Sequence, residues 1–208
     1  MDFNGGNPYN WDPTADITLR PLYNYNKSAA IHRCPGDRST VNTANGTVPR
    51  IRTYAMNFFL GGFGSGDASS GQGVGAWGKS YPVYLKLTDL NSTGKSPGPS
   101  RTFVFIDERE DCINWGNFLM DMDGAPYPGT AGPGAYRWNQ DLPASYHCGS
   151  CGVSFADGHS EIHHWLEKST MPPLAAGALI GGKGSGTTWP APYSRDIAWL
   201  QDVTARPK

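Results

Sequence analysis

Glycine and proline punctuate this chain so densely that only short elements can form. The 208 residues include 27 Gly and 17 Pro, about a fifth of the total, and these are the poorest residues for a helix interior. No long stretch is free of both, which excludes a helical bundle. Aromatic residues make up 12% and hydrophobic residues 38%. The expectation is a loop-rich folded domain with short strands around an aromatic core. Lys and Arg number 17 against 18 Asp and Glu, a net charge of −1. A nucleic-acid surface would show a basic excess, so that function class is disfavoured. Only 17% of residues are charged, too few for a charged disordered tail. No internal repeat or separating linker stands out, so residues 1–208 read as one domain.

Local patterns place the elements. Ile51 to Leu60 reads as a strand with Tyr54, Met56 and Phe58 on one face. Thr102 to Ile106 is a continuous apolar run, a buried strand that ends in Asp107-Glu108. Tyr81 to Leu90 holds a short strand or a turn of helix. Ser194 or Asp196 can cap a last helical segment through Ile197, Trp199, Leu200 and Val203. Asp157-Gly158, flanked by apolar–polar alternation, predicts a β-hairpin with a two-residue turn. In that register Phe155 faces Ser160 and Val153 faces Ile162. Val153, Phe155 and Ile162 then form the core side, while Ser154, His159, Glu161 and His163 form the other. The fold class expected is α+β: a small antiparallel β-sheet, long Gly/Pro-rich loops and short helices.

Several familiar patterns lack their physical context. Gly73-Val74-Gly75-Ala76-Trp77-Gly78-Lys79-Ser80 matches a phosphate-binding loop letter for letter. That chemistry needs a strand before the loop and a helix after it; here a Gly/Ser loop precedes and Tyr81-Pro82 follows. Asp121-x-Asp123-Gly124 opens like an EF-hand but lacks the later ligands. A looser calcium loop remains open to Asp121, Asp123, Asp141, Asp157, Asp196 and Asp202. Cys148-x-x-Cys151 supplies two zinc ligands where a structural site needs four, and His147 and His159 are the nearest candidates to complete it. The plain reading of the four cysteines is one or two disulfides, Cys148 to Cys151 and Cys34 to Cys112.

Four of the five histidines fall between His147 and His164, and strand alternation would put His159, Glu161 and His163 together. A solvated strand face is one account of them. A metal site is the other, completed by Asp107 and Glu108 from a strand end.

His147, nine residues, then Asp157-Gly158 resembles the signature of prepilin-type, type II pseudopilin-like proteins of planctomycetes and verrucomicrobia. Other segments agree in order. Cys34-Pro35-Gly36-Asp37 resembles that family's Cys-Pro-Ser-Asp turn, and Arg52-Thr53-Tyr54-Ala55-Met56-Asn57 its Arg-Ser-Tyr-Ser-Met-Asn strand. Phe105-Ile106-Asp107-Glu108, then Ile113-Asn114, resembles its strand end in Asp-Glu. Val153 to His159 and Asp196 to Gln201 resemble its last segments, so the likeness spans roughly residues 31–202. Cys112 and Trp115 stand where the family has Ser and Asp. Family members begin with a cleaved leader and a long apolar helix, and this chain as written shows neither.

The resemblance implies a globular domain of a type II secretion or pilus-type system, periplasmic or on the cell surface, with other pseudopilin subunits as partners. As written, without a signal, the chain would be cytoplasmic, with no membrane span and no nucleic-acid partner. Related major pseudopilins hold Ca2+ in a C-terminal loop, which by likeness makes Asp196 a ligand. The alternative function is a metal-dependent hydrolase of small esters or lactones on this scaffold. Its catalytic candidates are His147, His159 and Asp157, with Asp107, Glu108, Asp157 and Asp196 as metal ligands. Ca2+ is the expected ion, ahead of Zn2+.

Overall fold

The structure, a computed structural model, describes residues 1–61, 81–91, 94–114, 116–127, 131–180 and 187–207. It is an α+β fold. Its strands are β1 (Thr40–Thr43), β2 (Gly46–Pro49), β3 (Tyr54–Asn57), β4 (Phe103–Asp107), β5 (Asn117–Phe118), β6 (Arg137–Asn139), β7 (Ser150–Phe155), β8 (Ser160–His164) and β9 (Thr188–Pro190). Its α-helices are α1 (Tyr23–Asn26) and α2 (Arg195–Asp202). Five strands form the main sheet in the order β5-β3-β4-β7-β8. All its pairings are antiparallel except β3 with β5. Two small ribbons, β1-β2 and β6-β9, flank it. No helix among the described residues is long and apolar enough to cross a membrane. The phosphate-loop pattern at Gly73–Ser80 lies outside the described residues.

The register sorts the sheet's side chains into two faces. Ala55 pairs with Ile106 and Ile106 with Val153, and all three are buried. This is the core face, closed by α2, which adds the fully buried Ile197 and Leu200. Burial of side chains of that size contributes about 1.5–3 kcal/mol each. Trp138, Trp165 and Trp199 meet edge to face beside it, their ring centroids 6.0–6.4 Å apart in successive pairs. On the other face, Tyr54 pairs with Asp107, Met56 with Phe105, and Gly152 with Ile162.

The hairpin at Asp157-Gly158 forms with a different turn from the one expected. Its loop has three residues, Ala156-Asp157-Gly158. Gly158 N donates to Phe155 O at 3.0 Å and Phe155 N to His159 O at 2.9 Å. Gly158 adopts φ 95°, the left-handed position that ends such a loop in a bulge. The register becomes Ser154 to Ser160 and Val153 to Glu161, one residue from the two-residue-turn register. A slip of one residue exchanges the faces of a strand. Ile162 therefore turns to the open face, 64% exposed. His163 turns inward, stacks on Trp199 and meets the edge of Trp165.

The expected disulfides are absent: all four cysteines are free thiols. Cys151 and Cys112 are buried in the core cluster, Cys148 is exposed, and Cys34 faces His147. No thiol is left facing another across the expected bridges.

Ser194 is the residue that caps α2: its side chain accepts from Ile197 N at 3.3 Å. Ser194→Ala should lower unfolding free energy by about 1 kcal/mol. The check is a urea titration in which the midpoint falls and the slope stays unchanged.

Candidate metal centre

Among the described residues, one set of side chains converges with metal-ligand geometry: Cys34, Asp107 and His147, their donor atoms within 4.8 Å of one another. Three separate segments deliver them. Cys34 follows a short 3-10 turn (Ala30–His32), and its N–H donates to Thr53 Oγ1 at 2.6 Å. That bond fixes it beside the start of β3. The chain then turns at Pro35-Gly36, where Asp37 N donates to Cys34 O at 3.0 Å. Gly36 is needed there for closeness. A Cβ on it would stand 3.0 Å from Tyr146 Cβ and 3.6 Å from His147 Cε1.

Asp107 is the last residue of β4 and points to the open face, opposite Tyr54. Its Oδ2 accepts from Gly152 N at 2.8 Å. Its Oδ1 is buried and has no hydrogen-bond partner. His147 comes from the tight turn before β7, where Cys148 and Gly149 both take positive φ (53° and 81°). The imidazole is partly exposed; its Nε2 lies 3.2 Å from Cys34 Sγ and 3.6 Å from Asp107 Oδ2.

The electrostatics favour protons on the acids of this cluster. Burial pushes the Asp107 carboxyl up, against the lowering effect of the Gly152 N–H and of His147. Burial likewise pushes the Cys34 thiol up, and Asp107 adds to it. Tyr54, beside both, is pushed up to about 12, chiefly by burial. A divalent ion bound here would expel protons from Cys34 and Asp107.

This geometry is not that of a nucleophilic triad. In such a relay the nucleophile and the carboxylate hold opposite nitrogens of the imidazole. Here a single nitrogen, Nε2, faces both the sulfur and the carboxylate. An activated thiol also has a lowered pKa, whereas that of Cys34 is raised. Three donors aimed at one point suit a cation. The cluster meets solvent on the side where His147 is partly exposed.

The other residues expected at a site lie elsewhere. Asp157 shapes the hairpin: its Oδ1 accepts from His159 N at 3.1 Å and sits 2.6 Å from His159 Nδ1. The His159 ring stacks on Phe155. Asp157 is five residues along the chain from Gly152, about 16 Å at strand rise, so neither it nor His159 joins His147. Asp196 is buried and occupied, accepting from Leu166 N at 2.9 Å, Glu167 N at 3.0 Å and Thr170 Oγ1 at 2.6 Å. Asp121 and Asp123 both pair with Arg137, and Asp202 pairs with Arg101 and Arg206. No calcium loop is assembled from these carboxylates.

Glu108 points away from Asp107, as strand alternation requires. It is fully buried, and neither of its oxygens meets an N–H donor. It faces Asp141, which accepts from Leu119 N at 2.7 Å and Asn114 Nδ2 at 2.8 Å. Burial pushes Asp141 up to about 7; burial and Asp141 push Glu108 well up as well. Both carboxyls are thus pushed toward the protonated form, with Arg52 opposing this at Glu108.

Cys34 is the member of this cluster absent from the expected site, since the sequence offers it as a disulfide partner of Cys112. The available signal was its Cys-Pro-Gly-Asp turn, which also carried the family likeness. No protein-family model matches this chain, and no curated protein or solved structure matches it significantly.

The dyad sets a pH dependence of stability. Asp141 keeps its proton to a higher pH folded than unfolded, so stability is greatest in acid and falls as pH rises towards about 7. For one such group the slope is about 1.4 kcal/mol per pH unit. Glu108→Gln removes the second acid and sets an amide N–H donor before Asp141. That variant should show a flatter profile between pH 5 and 7.5 in denaturant titrations.

Proposed function

We propose that this chain is a pseudopilin-like globular assembly domain carrying a zinc-type divalent-metal centre on Cys34, Asp107 and His147. The observation that supports the reading is where those donors come from. The Cys34-Pro35-Gly36-Asp37 turn, the Asp107-Glu108 strand end and the His147 signature carry the family likeness, and each supplies one donor to the cluster. The donor set decides the kind of ion. Thiolate and imidazole suit Zn2+, whereas Ca2+ takes six to eight oxygen ligands. Zn2+ therefore replaces Ca2+ as the expected ion. The metal would tie the N-terminal turn at Cys34 to the end of β4 and the turn before β7, stabilising the domain for assembly.

One observation favours the second reading, a metal-dependent hydrolase of small esters or lactones. The cluster has three protein donors and a partly exposed side, as in zinc sites that keep a water. Bound metal would supply a polarised carbonyl or an activated water. His147, as a ligand, could not then also serve as the general base. Tyr54, paired with Asp107 across β3 and β4, carries a hydroxyl able to hydrogen-bond a substrate oxygen.

The test is a calorimetric titration of chelator-stripped protein with ZnCl2 and with CaCl2, alongside thermal melts and an ester and lactone panel. Zn2+ should bind one per chain, and a free concentration 100-fold above Kd should add about 2.7 kcal/mol of stability. Cys34→Ser and His147→Ala should each weaken Zn2+ binding at least about tenfold, in line with the loss of a direct ligand. His159→Ala and Asp157→Asn should leave it unchanged. Binding of Ca2+ alone would overturn the zinc assignment. Hydrolysis that requires Zn2+ and His147 would select the enzyme reading; its absence from metal-loaded protein would select the assembly domain.

A further inference from the structure

The open face of the main sheet forms a groove of about 790 Å³, a volume typical of small-molecule sites. Met56, Phe105 and Ile162 form its floor, while Leu22 and Ile31 from the N-terminal segment form a wall. Phe105, Ile162, Leu22 and Ile31 are all exposed. Apolar side chains gathered in one concavity, rather than scattered singly, mark a binding surface.

The end of the groove near β3 and β5 is built differently. Arg52 and His32 line it, and Arg52 Nε and His32 Nε2 are buried without a hydrogen-bond partner. The guanidinium lies against Gly116, where a Cβ would stand 2.7–2.9 Å from it. The acids whose charges act on Arg52 are Asp16 and Glu108. Asp16 pairs with Arg20, and Glu108 faces Asp141. Neither forms an ion pair with Arg52 among the described residues. A half-buried guanidinium without an ion-pair partner is open to an anion, and its planar fork matches a carboxylate.

We propose that this groove binds a small amphipathic monocarboxylate, its head held by Arg52 and His32 and its apolar chain laid across the sheet over Met56, Phe105 and Ile162. From β3 across β4 and β7 to β8 is three strand spacings, about 14 Å, the reach of a medium-length alkyl chain. Arg52 and His32 are the basic residues that line the groove, so a second carboxylate at the Ile162 end would have no cationic partner and the site selects one charge at one end. This site uses none of the three metal donors and does not rest on the metal assignment.

The probe is sodium decanoate, titrated below its micelle concentration into the full chain and followed by calorimetry. One saturable site per chain is expected. Decan-1-ol, which lacks the charge, and decanedioate, which carries a second, should each bind at least about tenfold more weakly, the size of one charge-assisted hydrogen bond. Arg52→Met should weaken decanoate by a similar factor, and Ile162→Glu should abolish binding, with circular dichroism and melting checking the fold. Should Arg52→Met not fold, His32→Gln and the three-ligand comparison on the unaltered chain carry the test. His147→Ala should leave decanoate binding intact. The proposal is overturned if decanoate does not saturate, if decan-1-ol binds as tightly, or if binding needs added Zn2+ and His147, which would place the carboxylate on the metal.

Discussion

The pleat at the end of β4 governs this molecule. Successive residues of a strand point to opposite faces, and here two successive residues are acids. Asp107 goes to the open face and accepts the Gly152 N–H at 2.8 Å, which locks β4 to β7 at that point. Glu108 goes the other way, into a fully buried pairing with Asp141. Both environments raise the acid's pKa through burial, yet their consequences differ. The inner pair is closed, and its titration is a matter of stability. The outer carboxylate has Cys34 and His147 before it, and its second oxygen is buried without a partner.

The same pleat explains what the sequence made legible. The apolar run before Asp107 announced β4; it is apolar on both faces because Phe103 and Ile106 are buried while Phe105 lines the groove. Ser194 announced the start of α2, because capping is a local interaction with a fixed side-chain requirement. The hairpin was equally plain, but its register was not. Asp-Gly serves both a two-residue turn and a three-residue loop with Gly in the left-handed position. The choice between them is made by packing: in the observed register Val153 and Phe155 stay in the core while His159 stacks on Phe155 and His163 reaches Trp165 and Trp199. A histidine face that reads as solvated or metal-binding in one register is aromatic packing in the other.

The Cys34, Asp107 and His147 cluster was half legible. Asp107 and His147 were candidates on chemical grounds, but their company was misassigned. Glu108 was grouped with Asp107 by proximity in sequence, although alternation separates them. Asp157 and His159 were grouped with His147 by a shared signature, although the length of β7 separates them. Cys34 is more than 70 residues from Asp107 in sequence, and no local pattern reports a contact of that range. Only the pairing of β3 with β4 brings the chain on either side together.

What separates a site from a structural acid in this fold is how far its oxygens are already engaged. Asp111 is also fully buried, and it is closed: Arg109 grips both its oxygens at 2.7–2.8 Å, and Ala175 N donates to it at 2.8 Å. Asp196 is closed in the same way by two backbone amides and a hydroxyl. These carboxylates tie loops to the core, and nothing more can approach them. Asp107 receives one amide hydrogen bond and turns its remaining capacity toward a sulfur and an imidazole nitrogen. Burying an acceptor without a donor costs stability, and a fold that closes Asp111 and Asp196 so completely has the means to close Asp107 too. That it leaves Asp107 open, facing two other metal-ligating atoms, is the physical argument that this corner of the sheet is a place for a ligand.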